Sequence, residues 1–171
     1  IQFDFETPPH LIQAISNAME IGQTGYCPSE GTAEAIEAVT REARRKGIQN
    51  PHHVYITTGA SEAIELALTA LLDPGDELLV PSPGYPLYTA LLSKLSATGV
   101  PYTLDEANEW QPNVEDIARL ITPRTKGISV INPNNPTGSI ADTATLDGIV
   151  ALAKEHNLLL LSDEIYDKLT L

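Results

Sequence analysis

The sequence predicts an α/β fold in which a mainly parallel sheet is covered by helices on both faces. From residue 51 onward, short β-prone runs alternate with runs whose apolar residues recur at helical spacing, which is the pattern of βαβ units. Residues 158–161 are four leucines, and a strand that is apolar on both sides needs cover on both faces. With 42% hydrophobic residues among 171, the chain can bury one core of ordinary size.

Two helices are expected before the alternating region. Thr7 followed by two prolines indicates a helix start, because a hydroxyl can cap free amides and proline is tolerated in a first turn. Apolar residues at helical spacing extend this helix to Gly22, and a second helical pattern ends at Gly47. The character of the sequence then changes, so we separate residues 1–50 from residues 51–171.

Strands and helices alternate through the rest of the chain. The strands are expected at 54–58, 77–80, 100–104, 127–131 and 158–161. The helices are expected at 61–72, 87–95, 114–121 and 143–156. Because ligands of such sheets bind at the carboxyl ends of the strands, the residues just after each strand are the candidates for function.

The net charge and the single cysteine argue against several functions. A formal charge of −13 disfavours a nucleic-acid partner, since phosphate backbones are bound by clustered Lys and Arg. No apolar run is long enough to cross a bilayer, and residues 1–7 show no basic stretch followed by an apolar one. We therefore expect a soluble, cytoplasmic protein without a membrane partner. Cys27 cannot form an intrachain disulfide, and we assign no metal ligands.

Small residues and a tyrosine follow the first two strands. Gly59, Ala60 and Ser61 open a helix whose amides and Ser61 hydroxyl could hold a phosphate, although an ordinary turn capped by Ser61 explains the same residues. After the second strand, two prolines and Gly84 make a rigid turn that directs Tyr85 over the sheet. Its ring could stack on a flat aromatic ligand or simply pack in the core.

Asparagines and a carboxylate follow the last two strands. In the run Asn132-Pro133-Asn134-Asn135-Pro136-Thr137-Gly138, two Asn-Pro steps favour extended asparagines, which suits a loop that aims side-chain amides at a ligand. Asp163 comes just after the leucine strand, where an unpaired charge is costly unless it meets a cation such as a protonated ring nitrogen. Capping of a following helix is the alternative role of Asp163.

These strand ends resemble those of the class I and II aminotransferases, which are fold-type-I enzymes that depend on pyridoxal 5'-phosphate (PLP). The resemblance runs over essentially the whole chain. Its most specific parts are Asn134-Asn135-Pro136-Thr137-Gly138 and, one helix later, Ser162-Asp163-Glu164-Ile165-Tyr166. Residues 25–27, 86–88 and 121–125 are most similar to bacterial alanine (glutamate-pyruvate) aminotransferases. The resemblance implies transfer of an amino group between an amino acid, with alanine and glutamate favoured, and a 2-oxo acid.

The resemblance implies how the phosphate and the ring of PLP would be bound. Ala60 and Ser61 match the residues that bind the phosphate, and Tyr85 matches the aromatic residue that stacks on the pyridine ring. Tyr26 matches a tyrosine that reaches the cofactor phosphate of the neighbouring subunit, which implies a homodimer.

Three further matches imply how the polar atoms of the ring would be held. Asn135 and Tyr166 match the pair that hydrogen-bonds the phenolic oxygen, and Asp163 matches the partner of the pyridine nitrogen. Among these residues, Asp163 and Tyr166 are the expected catalytic groups.

The resemblance also implies that the large domain is incomplete at its C-terminus. The family's Schiff-base lysine is expected beyond Leu171, and Lys168 follows Tyr166 too closely to take that role. The chain as given is therefore expected to be inactive. Residues 1–50 would carry the interface and a substrate-side loop, and residues 51–171 would be part of the PLP-binding large domain.

The sequence leaves three alternatives to an alanine aminotransferase. Aspartate aminotransferase is the nearest one, because the resemblance sets the substrate only weakly. A non-catalytic, aminotransferase-like module that binds PLP is the second. A nucleotide-binding domain is disfavoured, because no Gly-x-Gly-x-x-Gly follows any strand.

Overall fold

The computed structural model describes residues 6–169, so the start of the family resemblance at residues 1–5 lies outside the described part of the chain. Internal contacts divide the chain into two units, Ile1–Thr57 and Thr58–Leu171. The functional assignment of residues 1–50 and 51–171 stays a prediction.

Two helices form in the described part of the first unit, residues 6–57, as the sequence predicts. Helix α1 spans Pro9–Glu20 and helix α2 spans Ala33–Arg45. The expected capping role of Thr7 is wrong, because Pro8 occupies the N-cap of α1 and no side chain caps this helix. In α2, by contrast, the Thr32 side chain accepts a hydrogen bond from a first-turn amide.

The prediction of a strand at residues 54–58 is wrong, because these residues form no strand. Ile56 instead donates its amide to the carbonyl oxygen of Glu30 at 2.8 Å. A β-prone segment becomes a strand only where a neighbour supplies a ladder, and no strand in the described part of the chain pairs with this one.

The second unit holds the alternating helices and strands, and each of the other predicted elements lies within two residues of its expected bounds at either end. The elements are α3 Gly59–Leu71, β1 Glu77–Ser82, α4 Pro86–Lys94, β2 Thr98–Asp105, β3 Gln111–Pro112, α5 Val114–Leu120, β4 Thr125–Ile131, α6 Thr143–Glu155 and β5 Leu159–Asp163. The short strand β3, which follows a 3₁₀ turn at Glu106–Asn108, was not predicted.

The five strands form one sheet in the order β3-β2-β1-β4-β5. β1 pairs in parallel with β2 and with β4, and β4 pairs in parallel with β5. Only β3 is antiparallel to its neighbour among the described strands. The prediction of a mainly parallel sheet is confirmed, and the carboxyl ends of β1, β4 and β5 lie at one edge.

Helices cover both faces of this sheet, as predicted. Leu78 and Val80 of β1 pack in a cluster with apolar residues of α3 and α4. Leu79 faces the other way and packs in a second cluster that includes Ile117 of α5 and Ile149 of α6. None of the helices described is long and apolar enough to cross a membrane.

The leucine strand β5 is less covered than the sequence predicts. Leu159 is 43% exposed and Leu160 is 41% exposed. Within residues 6–169, β5 pairs with β4 alone and forms an edge of the sheet. Gly127 allows this pairing to be close, because a Cβ at that position would lie 2.7 Å from the Leu159 carbonyl oxygen.

A buried carboxylate anchors the opposite, amino-terminal edge of the sheet. Glu77 begins β1, is 4% exposed and accepts hydrogen bonds from the Thr122 hydroxyl and from the Arg124 guanidinium. The Thr122 hydroxyl and then Arg124 hold the pKa of Glu77 below its ordinary value, although burial acts in the opposite direction. These contacts tie β1 to the turn that leads into β4.

Candidate functional site

A cleft of about 350 Å³ opens beside the carboxyl end of β5. Helix α3 lines it with Ala60 and Ala63, helix α4 contributes Tyr88, and the end of β5 contributes Asp163. Small-molecule sites typically occupy roughly 300–1,000 Å³, so the cleft has the size of a ligand site. The structure therefore brings two of the predicted site residues, Ala60 and Asp163, to one mostly apolar cleft.

The amino terminus of α3, which begins at Gly59, lies next to this cleft. Gly59 has φ +77°, which only glycine adopts without strain, and a Cβ there would meet no other described atom within 4 Å beyond its chain neighbours and the backbone of its own helix. Thr58 at the N-cap provides no side-chain cap, while the Glu62 carboxylate accepts the Thr58 amide. Ser61 lies inside the helix and is exposed, so its expected alternative role as the cap is wrong.

The Asp163 carboxylate is partly buried and held by two donors. Its Oδ2 accepts the Tyr88 hydroxyl at 3.2 Å, and its Oδ1 accepts the amide of Ile165 at 3.3 Å. The alternative role as a helix cap is wrong, because residues 165–168 form a turn and not a helix. A carboxylate has about four acceptor positions, so two donors leave capacity for a ligand.

The turn after β1 depends on Gly84 and places Tyr85 at the N-cap of α4. A Cβ at Gly84 would overlap the Pro81 carbonyl oxygen, so the turn admits glycine alone. Tyr85 is half-buried and packs against the apolar cluster beneath α3 and α4. Packing in the core therefore accounts for part of the Tyr85 side chain, and its stacking on a ring stays a prediction.

Asn134 and Asn132 hold the loop after β4 in place. Asn134 is 5% exposed, and its Nδ2 donates to Thr137 Oγ1 at 2.9 Å and to the Pro83 carbonyl at 3.3 Å. Asn132 donates its amide to the Asp163 carbonyl at 2.9 Å. The loop is thus tied to the turn before Tyr85 and to the end of β5.

Four predicted site residues carry side-chain polar groups with no hydrogen-bond partner among residues 6–169. They are Ser61, Tyr85, Asn135 and Tyr166. Asn135 is partly exposed and lies next to the anchored Asn134. None of the four lines the cleft itself. Their unused donors and acceptors nevertheless follow strand ends or begin the helix at this edge, where a ligand could satisfy them.

Tyr26 belongs to the first unit, in the loop between α1 and α2. Its side chain is fully exposed. The proposed reach of Tyr26 to a neighbouring subunit stays a prediction.

Tyr88 was not predicted as a site residue, although it donates to Asp163. The contact joins residues 75 positions apart, and only the tertiary fold brings the Tyr88 side chain to the end of β5. One signal was present in the sequence: Tyr88 follows Tyr85 by three residues, so the two side chains lie near the same side of a helix start.

A mainly parallel sheet, with unpartnered polar side chains near the carboxyl ends of its strands, is typical of an α/β ligand-binding domain. The family model of the aminotransferases of class I and II matches residues 2–171. The chain belongs to this family, as the motifs predicted, and the family depends on PLP.

Named relatives support the same assignment. The chain is 43% identical to the glutamate-pyruvate aminotransferase AlaA of Escherichia coli K12 over 98% of its own length and 42% of the relative's. It is 46% identical to the alanine aminotransferase of Mycobacterium bovis, covering 98% of this chain and 39% of that protein. A solved double mutant of Thermus thermophilus aspartate aminotransferase superposes with a TM-score of 0.92 at 37% identity, covering 95% and 43% of the two chains. The chain thus spans about two fifths of these relatives.

Proposed function

We propose that the full-length protein is a PLP-dependent aminotransferase that exchanges an amino group between an amino acid and a 2-oxo acid. The observation that carries the proposal is the half-buried Asp163 carboxylate, held by Tyr88 at the mouth of a cleft that the start of α3 also lines. Membership of the aminotransferase family supports it.

The residues at this edge fit the chemistry of the cofactor. The space in front of Gly59 and the amides of α3 suit a phosphate, and the helix dipole favours its charge there. Ala60 and Ser61 would bind this phosphate. When bound, PLP supplies an electron sink for the charge released at the substrate Cα.

The ring would be held by residues that follow three strands. Tyr85 would stack on the ring, and the unpartnered side chains of Asn135 and Tyr166 would hydrogen-bond its phenolic oxygen. Asp163 would keep the proton on the pyridine nitrogen, because a carboxylate next to a protonated nitrogen favours the charged form of both groups.

Alanine and glutamate are the favoured amino donors, and aspartate is the second candidate. The relatives with 43% and 46% identity are named for glutamate, pyruvate and alanine. The match to the Thermus enzyme supports the aspartate alternative. A homodimer in the cytoplasm, with Tyr26 reaching the phosphate of its partner, belongs to the same proposal.

An activity assay of the full-length protein tests the proposal. Purified protein is saturated with PLP and supplied with alanine, glutamate or aspartate together with a matching 2-oxo acid. We expect bound cofactor and transfer from alanine faster than from aspartate. Faster transfer from aspartate would overturn the substrate assignment, and a protein that binds no PLP would overturn the function.

A further inference from the structure

The hydrogen bond between Tyr88 and Asp163 gives α4 a role in the site. We propose that Tyr88 is a positioning residue that orients the Asp163 carboxylate toward the ring nitrogen of the cofactor. The inference rests on the proposed function and adds to it a residue outside the predicted site.

Tyr88 is held firmly enough to orient another group. Its side chain is 3% exposed and packs in the apolar cluster with Leu91 and Leu92 of the same helix. The ring lies between the cleft beside Asp163 and a second cavity of about 290 Å³ next to Tyr85. Because the apolar cluster holds the ring, the position of the hydroxyl oxygen next to Asp163 is set as well.

The Tyr88 hydroxyl remains a neutral donor. Burial raises the pKa of Tyr88 well above its ordinary value; the neighbouring Ser129 hydroxyl acts in the opposite direction, and the charge of Asp163 adds to the rise. The phenol therefore keeps its proton and donates a hydrogen bond to Asp163 Oδ2.

Two donors fix the plane of the carboxylate. The Tyr88 hydroxyl holds Oδ2 from α4, and the Ile165 amide holds Oδ1 from the turn after β5. With both oxygens engaged, rotation of the carboxylate costs a hydrogen bond to a charged group. The remaining acceptor positions can then face the cleft without reorganisation, which is the condition for a strong electrostatic contact.

Tyr102 supplies a matched control for this role. It is 1% exposed, and its hydroxyl donates to the Ser129 carbonyl at 2.8 Å. It packs in the cluster on the other face of the sheet and does not line the cleft. Tyr88→Phe and Tyr102→Phe thus each remove one buried hydroxyl, but only the first removes a donor to Asp163.

The test compares these two variants in the full-length protein. The dissociation constant of PLP is measured by titrating apoprotein, and kcat and KM are measured on the loaded enzyme. For Tyr88→Phe we expect weaker PLP binding and a lower kcat, each by about tenfold to a hundredfold, the range for a lost hydrogen bond to a charged group. KM for the amino donor should stay within about twofold. Tyr102→Phe should lower thermal stability and leave PLP affinity and kcat unchanged.

A double variant shows whether Tyr88 acts through Asp163. In an Asp163→Ala background, Tyr88→Phe should change the dissociation constant of PLP no further, since coupled residues are not additive. Equal losses in the Tyr88→Phe and Tyr102→Phe variants, or additive losses in the double variant, would overturn the positioning role alone. A wild-type protein that binds no PLP would instead overturn the proposed function, and this inference with it.

Discussion

At the scale of single residues, Asp163 is the group on which the proposed site depends. The sequence predicted Asp163 as a site residue, because a carboxylate at the end of an apolar strand needs a cationic partner. The structure adds that a buried tyrosine holds it in place. The spacing of Tyr88 from Tyr85 hints at Tyr88, but its hydrogen bond to Asp163 could not be predicted, since it joins residues 75 positions apart that only the tertiary fold brings together.

Replacing Asp163 tests its role as an electrostatic partner. In the full-length enzyme, Asp163→Ala should lower kcat by several powers of ten while the fold persists, because a group that stabilises the transition state acts on the barrier more than on binding. Asp163→Glu should lose less. Turnover by stopped-flow or steady-state assay is the measurement, and Asp147→Ala, an exposed carboxylate on α6, is the control.

The size of the loss in kcat shows whether Asp163 is an electrostatic partner of the cofactor ring or only the acceptor of a local backbone hydrogen bond. A fall in kcat of less than about tenfold for Asp163→Ala corresponds to less than roughly 1.4 kcal/mol of barrier. Such a small loss would reduce Asp163 to the acceptor of the Ile165 amide.

At the scale of elements, the sequence predicted where helices and strands lie better than what covers them. Periodicity and turn residues located α3 to α6 and four strands of the sheet. The β-propensity of residues 54–58 predicted a strand that these residues do not form, because propensity does not indicate whether another strand lies alongside to pair with. The four leucines also predicted that both faces of β5 are buried, whereas Leu159 and Leu160 are exposed at the edge of the sheet.

The anchor of β1 at Glu77 makes stability depend on pH. Its folded-state pKa lies below the ordinary value of 4.5, so its contribution is present above that value and is lost as pH falls through the folded-state pKa. Glu77→Gln should lower the free energy of unfolding near neutral pH by about 1–3 kcal/mol, because the Thr122 hydroxyl and the Arg124 guanidinium lose a charged acceptor that is itself buried.

Denaturant unfolding at several pH values measures this effect. The difference between wild type and Glu77→Gln should shrink as the solution is acidified below pH 4.5. Glu115→Gln is the control, since the Glu115 side chain is 85% exposed and its pair with Arg119 should contribute about 0–1 kcal/mol. A Glu77→Gln difference that stays constant down to strongly acidic pH would show that the carboxylate charge is not what stabilises β1.

At the scale of the whole molecule, the alternation of strands and helices predicted the mainly parallel sheet and the edge at which the site is proposed. The strand order 3-2-1-4-5 places the turns after β1 and β4 next to each other, and Asn134 joins them through the Pro83 carbonyl. The sequence predicted the residues of both turns. It could not predict the contact between them, because strand order is set by the packing of the whole sheet.

Subunit complementation tests the proposed dimer and the place of Tyr26. Tyr26→Ala and Asp163→Ala variants of the full-length protein should each be impaired on their own. If Tyr26 serves the neighbouring subunit, a mixed dimer contains one site with both substitutions and one site with neither, so mixing after dissociation should restore activity. Turnover of the mixture is compared with that of each variant alone. No recovery, in mixtures shown to contain hybrid dimers, would place Tyr26 in its own subunit's site or outside any site.

A crystal structure of the full-length protein with PLP tests the central claim most directly. We expect the pyridine nitrogen within hydrogen-bond distance of the Asp163 carboxylate, at about 2.7–3.2 Å, and the phosphate at the amino terminus of α3. The Tyr88 hydroxyl should still donate to Asp163 Oδ2. A cofactor bound elsewhere, or a ring whose nitrogen faces away from Asp163, would contradict the assignment of this edge of the sheet as the active site.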